Sequence, residues 1–323
     1  MMVTLSCRVA GVLVAYYLAP ISNGLGDLIV SIPILQALIS TGTPTYLIMR
    51  SPAQHGLANH IVGLAGSIRE DDFKPSSLNP EDTFYNFRDH PLQADHVWGS
   101  EEFERKYPGY RINEVLKGIC SDWNIAADFE TLHPLPFEHR KECEDRIILI
   151  PGSAGRFKCW PAKHWIALAD KLQKTGAKTL IVGQPERSDV VRDLLNFGLE
   201  HIETPTLKDA LDVVSSSRCA ISVDTGLMHL CVHQGIPTVA LFRYNDMFLR
   251  SYPKTRNFVG PLCAPVCRER EFAGAPNEKI EYKVWELWDP MTCALEKPEE
   301  HCMAQISPHA VFDAVAELLA EKV

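Results

Sequence analysis

The run Cys219-Ala-Ile-Ser-Val-Asp-Thr-Gly-Leu-Met-His-Leu-Cys-Val-His-Gln-Gly-Ile-Pro-Thr-Val-Ala-Leu-Phe242 decides the fold. Residues 219–223 form an apolar, strand-favouring run. Asp224-Thr225-Gly226 interrupts it, residues 226–234 carry a helical pattern, and Pro237 opens a second apolar run to Phe242. A strand, a helix and another strand in so short a span predict a parallel βαβ unit.

Working outward, the alternation persists. Strands are expected at 146–151, 177–182 and 201–203, with helices at 161–175, 186–197 and 207–216, so the second half is an α/β unit around a parallel sheet. Near the start, the apolar run 11–21 is broken by Ser22-Asn23-Gly24-Leu25-Gly26-Asp27. A helical pattern through Ile29, Ile32, Leu35 and Leu38 follows, then a strand at 44–49. Residues 55–132 are shorter, more polar elements. His133-Pro134-Leu135-Pro136 and the charged stretch 138–146 shift the composition abruptly, as a linker does. Residues 1–140 are therefore expected as one domain and 141–306 as a second. A final helix over 307–323 has Ser307 as N-cap, Pro308 at its first position and Val311, Val315, Leu318 and Leu319 on one face. It is expected to pack back on the first domain.

A chain of 323 residues fits two domains at ~150 residues each. With 46% hydrophobic and 23% charged residues it is neither fibrous nor wholly disordered. Lys plus Arg number 32 against 41 Asp plus Glu, a net charge of -9, the wrong sign for a nucleic-acid partner. The apolar start 9–20 lacks a cleavage site and falls short of the ~20 residues a membrane span needs, so it reads as a buried strand of a cytoplasmic protein.

Three strand-to-helix loops can carry chemistry. In the first, Asn23, Gly24 and Gly26 let backbone approach a ligand at a helix start, and Asp27 can be a general base or simply a first-turn carboxylate that stabilises the helix. The second, Pro151-Gly152-Ser153-Ala154-Gly155-Arg156-Phe157-Lys158-Cys159-Trp160-Pro161, is small and cationic. It lacks the Gly-Lys-Ser/Thr ending of a nucleotide triphosphatase loop, and it also reads as a solvated loop with Trp160 in packing. In the third, Asp224-Thr225-Gly226-Leu227 opens a helix whose first N–H groups and Thr225 hydroxyl suit a pyrophosphate. His229 either faces that ligand or is an ordinary helix histidine. In parallel sheets such loops lie at the carboxyl edge, where ligands bind.

Together these loops resemble the heptosyltransferases of glycosyltransferase family 9. The resemblance runs through Gly26-Asp27 and Pro33, Pro151-Gly152-Ser153, Lys158-Cys159-Trp160-Pro161, His164-Trp165, Asp224-Thr225-Gly226-Leu227-Met228-His229 and the strand 235–242. It implies a GT-B fold, two facing Rossmann-like domains with a cleft between them. It also implies metal-independent, inverting transfer of a heptose or related sugar from a nucleotide-diphosphate donor, ADP-heptose in the family's usual case, to a hydroxyl of a bacterial glycan or lipopolysaccharide core. Asp27 then matches the base, Ser153 and Lys158 the donor-phosphate contacts, and Asp224, Thr225 and Gly226 the sugar-nucleotide site, with Leu227 and His229 beside them. Residues 1–140 hold 10 Lys plus Arg against 16 Asp plus Glu, a net of -6 that argues against an anionic lipid acceptor. Peripheral contact with the inner membrane through Phe84, Tyr85 and Phe87 competes with their use in packing.

Cys263, Cys267, Cys293 and Cys302 form a C-terminal cysteine group. Four thiols can hold a structural Zn or Fe, though their spacing is looser than a paired CxxC motif, and free thiols in a packed loop are the other reading. The scattered cysteines read as small buried hydrophobes. No cofactor is expected to be required for catalysis. A silent nucleotide-sugar-binding protein that contacts a partner through its Cys-rich loop is the alternative from another class. A nucleotide-sugar epimerase lacks support, because neither a three-glycine fingerprint nor a Tyr-x-x-x-Lys pair is present.

Overall fold

A computed structural model describes residues 14–96, 98, 100–153, 158–244, 246–262 and 301–321. Two all-parallel sheets organise them. In the first, β1 (Tyr16–Ala19), β2 (Thr45–Met49), β3 (Gly66–Arg69) and β4 (Thr83–Asn86) lie in the order β3-β2-β1-β4. Helix α1 (Leu25–Ser40) follows β1, and α2 (Pro52–Ala58) follows β2. Beyond β4 come the short α3 (Pro91–Ala94), α4 (Glu101–Lys106) and α5 (Ile112–Asp122).

The second sheet contains β5 (Arg146–Ile150), β6 (Lys178–Val182), β7 (His201–Ile202), β8 (Cys219–Val223), β9 (Thr238–Phe242) and β10 (Thr255–Val259). Their order is β10-β9-β8-β5-β6-β7, a doubly wound sheet whose direction of winding reverses between β5 and β8. Helices α6 (Ala162–Lys174), α7 (Asp189–Asn196), α8 (Leu207–Ser216) and α9 (Gly226–His233) supply the crossovers. Strands β8 and β9 are buried at every position because helices cover both faces, which is why their sequences are continuous apolar runs.

The two units share a core. Leu28, Ile29 and Ile32 of α1 belong to one buried cluster with Leu211 of α8 and Leu230 and Cys231 of α9. Most of α1 is buried on successive residues, Leu28 to Leu35, since one side meets its own sheet and the other meets α9. Polar bonds fasten the seam. Ile112 N–H donates to Met247 O (2.9 Å), Arg111 pairs with Asp246 (3.0 Å), and Leu135 and Gln234 exchange two hydrogen bonds.

The terminal helix α10 (Pro308–Ala320) begins at Ser307, whose hydroxyl accepts from His309 N–H. It corrects one expectation, because it packs on α6, β9 and β10 of the second sheet and not on the first unit. Val311, Ala314, Val315 and Leu318 join Trp165, Leu168 and Leu172 of α6 in a single core. The chain is already delivered there: Gly260, just past β10, lies so close to Cys302 that a Cβ would sit 2.3 Å from its carbonyl oxygen, and Trp160 Nε1 donates to Ile306 O. An apolar stripe beside an apolar helix is buried where the chain arrives.

Candidate active site

The reversal of winding in each sheet places the loops. In the second sheet the loops after β5 and β8, which carry Ser153 with Lys158 and Asp224 with Thr225, emerge side by side at the carboxyl edge. In the first, the segments after β1 and β4 do the same and bring Asn23 and Asp27 toward Arg88. The α1–α9 contact then sets one edge against the other.

On the second-sheet side, Lys158 Nζ donates to Asp224 Oδ2 at 2.6 Å, with side-chain exposures of only 16% and 10%. Ser153 Oγ donates to the Asp224 carbonyl (3.2 Å), tying the two loops together. Burial alone would push the Asp224 carboxyl up. The Lys158 ammonium, through its charge and its hydrogen bond, outweighs that and holds it below the usual carboxylate range. His229 Nε2 lies 3.8 Å from Asp224 Oδ1, and burial, reinforced by the nearby Arg250, drives the imidazole down to about 3. His229 is therefore a neutral, buried ring at physiological pH. Thr225 is the extended N-cap of α9.

On the first-sheet side, Asp27 occupies the third position of α1. Its Oδ2 accepts from Gly24 N–H (2.8 Å), so the carboxylate does cap the helix. Burial raises it to about 6. The Gly24 N–H, Lys158 and Arg88 oppose that rise, and Asp224 adds to it. The influence of Lys158 and Asp224 on Asp27 is the electrical signature of two units meeting at one place.

Two glycines permit that meeting. A Cβ on Gly26 would lie 2.7 Å from His229 Cδ2, and one on Gly226 would lie 2.8 Å from Leu25 Cβ. Each helix start thus presents a glycine to a side chain of the other, and backbone approaches where no larger residue fits.

Gly26 and Asp27 from the first unit and Lys158, Asp224, Gly226 and His229 from the second meet at this seam; Asn23 and Gly24 lie in the turn before Asp27, Ser153 is bonded to Asp224, and Thr225 and Leu227 flank Gly226. Arg156 lies outside the described residues, as do Cys263, Cys267 and Cys293. Cys302 is buried. Among the described residues no group of three His, Cys, Asp or Glu is placed to hold a metal ion. Phe87 is buried against Trp123, Tyr85 packs on Tyr16 and Trp123, and Phe84 on Phe73, so packing occupies the aromatics considered for a membrane. Among the described residues no helix is long and apolar enough to cross one. Arg88, whose Nη2 donates to Asn23 Oδ1 (2.7 Å), was not legible in the sequence, because β4 before it is a short strand of half-buried residues.

Two parallel α/β units with apposed carboxyl edges, carrying a carboxylate on one side and a cation with a helix start on the other, have the architecture of the GT-B fold. Residues 116–263 match Glycosyltransferase family 9 (heptosyltransferase), the family that the three loops resemble. Lipopolysaccharide heptosyltransferase 1 of Pseudomonas aeruginosa is 25% identical over 181 residues, 54% of this chain and 48% of that protein. The chain spans about half the length of the curated relatives it matches. The family 9 glycosyl transferase of Veillonella parvula superposes with a TM-score of 0.63 at 16% identity, covering 95% of this chain and 97% of that one. An Escherichia coli heptosyltransferase solved with ADP gives 0.60 at 12% identity, covering 94% and 99%.

Proposed function

We propose that this protein is an inverting, metal-independent glycosyltransferase that moves a heptose or related sugar from a nucleotide-diphosphate donor, ADP-heptose, to a hydroxyl of a bacterial glycan or lipopolysaccharide core. The observation that carries the reading is the apposition of Asp27 from one unit with the Lys158–Asp224 pair from the other. Residues 1–140 are the acceptor domain of this proposal, and residues 141–306 the donor domain. The enzyme works in the cytoplasm, on the inner side of the membrane where its acceptor is assembled.

In the proposed step the acceptor hydroxyl gives its proton to Asp27 while its oxygen bonds to the anomeric carbon. The bond from that carbon to the donor phosphate oxygen breaks, and its electron pair leaves with the nucleoside diphosphate. A carboxylate raised to about 6 is almost wholly ionised at neutral pH yet more basic than an ordinary aspartate, which suits a general base. The charge that develops on the diphosphate is met by the Lys158 ammonium and by the N–H groups at the start of α9, with the Thr225 and Ser153 hydroxyls as further donors. Lys158 is held by Asp224 at 2.6 Å, so donor binding exchanges one anionic partner for another, and Asp224 keeps the ammonium aimed until then.

Thermal stabilisation by ADP, UDP, GDP and their sugars, on the parent protein and on Lys158→Ala, tests the reading. A ligand at 100 times its Kd adds about 2.7 kcal/mol of stability, a readable shift. An ADP-selective shift that is lost in the variant supports the proposal. The absence of a shift with every nucleotide refutes it.

A further inference from the structure

The turn that delivers Asp27 is built from backbone carbonyls that its own segment leaves largely unmet. Side chains of the next strand–helix unit meet four of them. Arg50 Nε donates to Pro20 O at 2.7 Å, Ser51 Oγ to Asn23 O at 2.6 Å, and Gln54 Nε2 to both Ser22 O (2.8 Å) and Gly24 O (3.1 Å). Gln54 is fully buried, and its Oε1 accepts from Arg50 N–H at 2.8 Å, so the whole amide is used. Arg50 also bonds Glu70 after β3 and Asn86 at the end of β4. One guanidinium therefore joins the carboxyl ends of all four strands of the first sheet. Ser51 caps α2 by accepting from Gln54 N–H, which fixes the spacing of the three residues.

We infer that Arg50, Ser51 and Gln54 are positioning residues for Asp27: they hold the turn 20–24 so that Gly24 N–H points at the Asp27 carboxylate. The hydrogen bonds that the three donate to this turn all end on its backbone carbonyls, so each acts through the backbone. Burying two carbonyl groups against an amide that can only be a donor there leaves the turn one register, since a slip by one residue would leave buried acceptors unmet. The inference rests on reading Asp27 as the base only for its functional consequence; the positioning itself is a property of the folded chain.

The groups facing Asp27 are Gly24 N–H on its own helix, Lys158 and Asp224 from the second sheet's loops, and Arg88 after β4, with His229 against the neighbouring Gly26. Gly24 N–H stabilises the ionised carboxylate, so a loosened turn removes that donor. Carbon-13 NMR titration of the aspartate carboxyls in the full chain, with Asp27 assigned by its loss in Asp27→Asn, reads this without any substrate. In Gln54→Met, which keeps length and apolar packing but donates nothing, the Asp27 titration is expected to move upward from the parent value. Ser51→Ala is expected to move it in the same direction, and Ser51→Thr, which restores the hydroxyl, to bring it back. An unchanged Asp27 titration in folded Gln54→Met overturns the inference. Should that variant not fold, an unchanged titration in Ser51→Ala overturns it instead. If the titration moves while the rate of sugar transfer and its pH profile stay as in the parent, Asp27 is positioned as argued but is not the base, so the two readings fail separately.

Discussion

Replacing Gly26 by alanine probes the seam where the two units meet. The added methyl would lie 2.7 Å from Cδ2, 3.3 Å from Nε2 and 3.5 Å from Cγ of His229. Carbon atoms reach favourable contact at about 3.5–4.0 Å, so a displacement of about 1 Å is required. The imidazole has little room to yield, being buried with Asp224 3.8 Å away. Helix α1 must therefore shift against α9. Overpacking of this kind costs about 1–3 kcal/mol, and alanine in place of a helical glycine returns roughly 0.5–1 kcal/mol, leaving a net loss of about 1–2 kcal/mol. The effect on chemistry is larger, because Asp27 is the next residue and a misplacement of about 1 Å can lower a rate by about 100-fold. Denaturant unfolding, turnover and the double variant Gly26→Ala/His229→Ala measure these quantities. Removing the ring should relieve the clash, so the two substitutions together should cost less than their sum. A single variant with parental stability, or strict additivity in the cycle, refutes the account of the seam.

Asp27→Asn should abolish transfer while the thermal shift produced by donor nucleotide stays near that of the parent; retained turnover removes Asp27 as the base. Asp224→Asn should weaken the hold on Lys158 in a largely buried setting and cost about 3–5 kcal/mol in urea unfolding, because the ammonium loses the carboxylate that meets it at 2.6 Å. Stability should also depend on pH in a way two variants separate. His233, buried and pushed down to about 3, takes up its proton only on unfolding, so its contribution to stability is lost as pH falls from 6.5 toward 3. Asp27, raised to about 6, binds its proton in the folded chain first and acts with the opposite sign between about 6 and 3.8. Between pH 4 and 6 the slope of unfolding free energy should therefore flatten by about 1.4 kcal/mol per pH unit in His233→Leu and steepen by a similar amount in Asp27→Asn.

Much of the second sheet was legible because its signals are local. Strand β8 and the start of α9 follow directly from an apolar run, an Asp-Thr-Gly break and a helical pattern, and the expected helix over 207–216 matches α8 (Leu207–Ser216). Strands β3 and β4 were not legible, since each is four residues long and lacks fully buried positions that would mark a period. Strand β10 was missed for a related reason, with only Thr255 buried along its edge.

The sequence by itself determined the alternation of strands and helices in the second unit, the strand–turn–helix at Asp27, and the three loops that resemble family 9. Period and turn chemistry are read over a few residues, and those features need no more. Only the tertiary structure decided that Lys158 reaches Asp224, that Gly26 and Gly226 let α1 and α9 close on each other, that Arg50, Ser51 and Gln54 bind the turn before Asp27, and that the last helix belongs to the second sheet. Each of these joins residues distant in the chain, and what selects them is the burial of apolar faces and the pairing of buried polar groups in three dimensions, which no local pattern encodes.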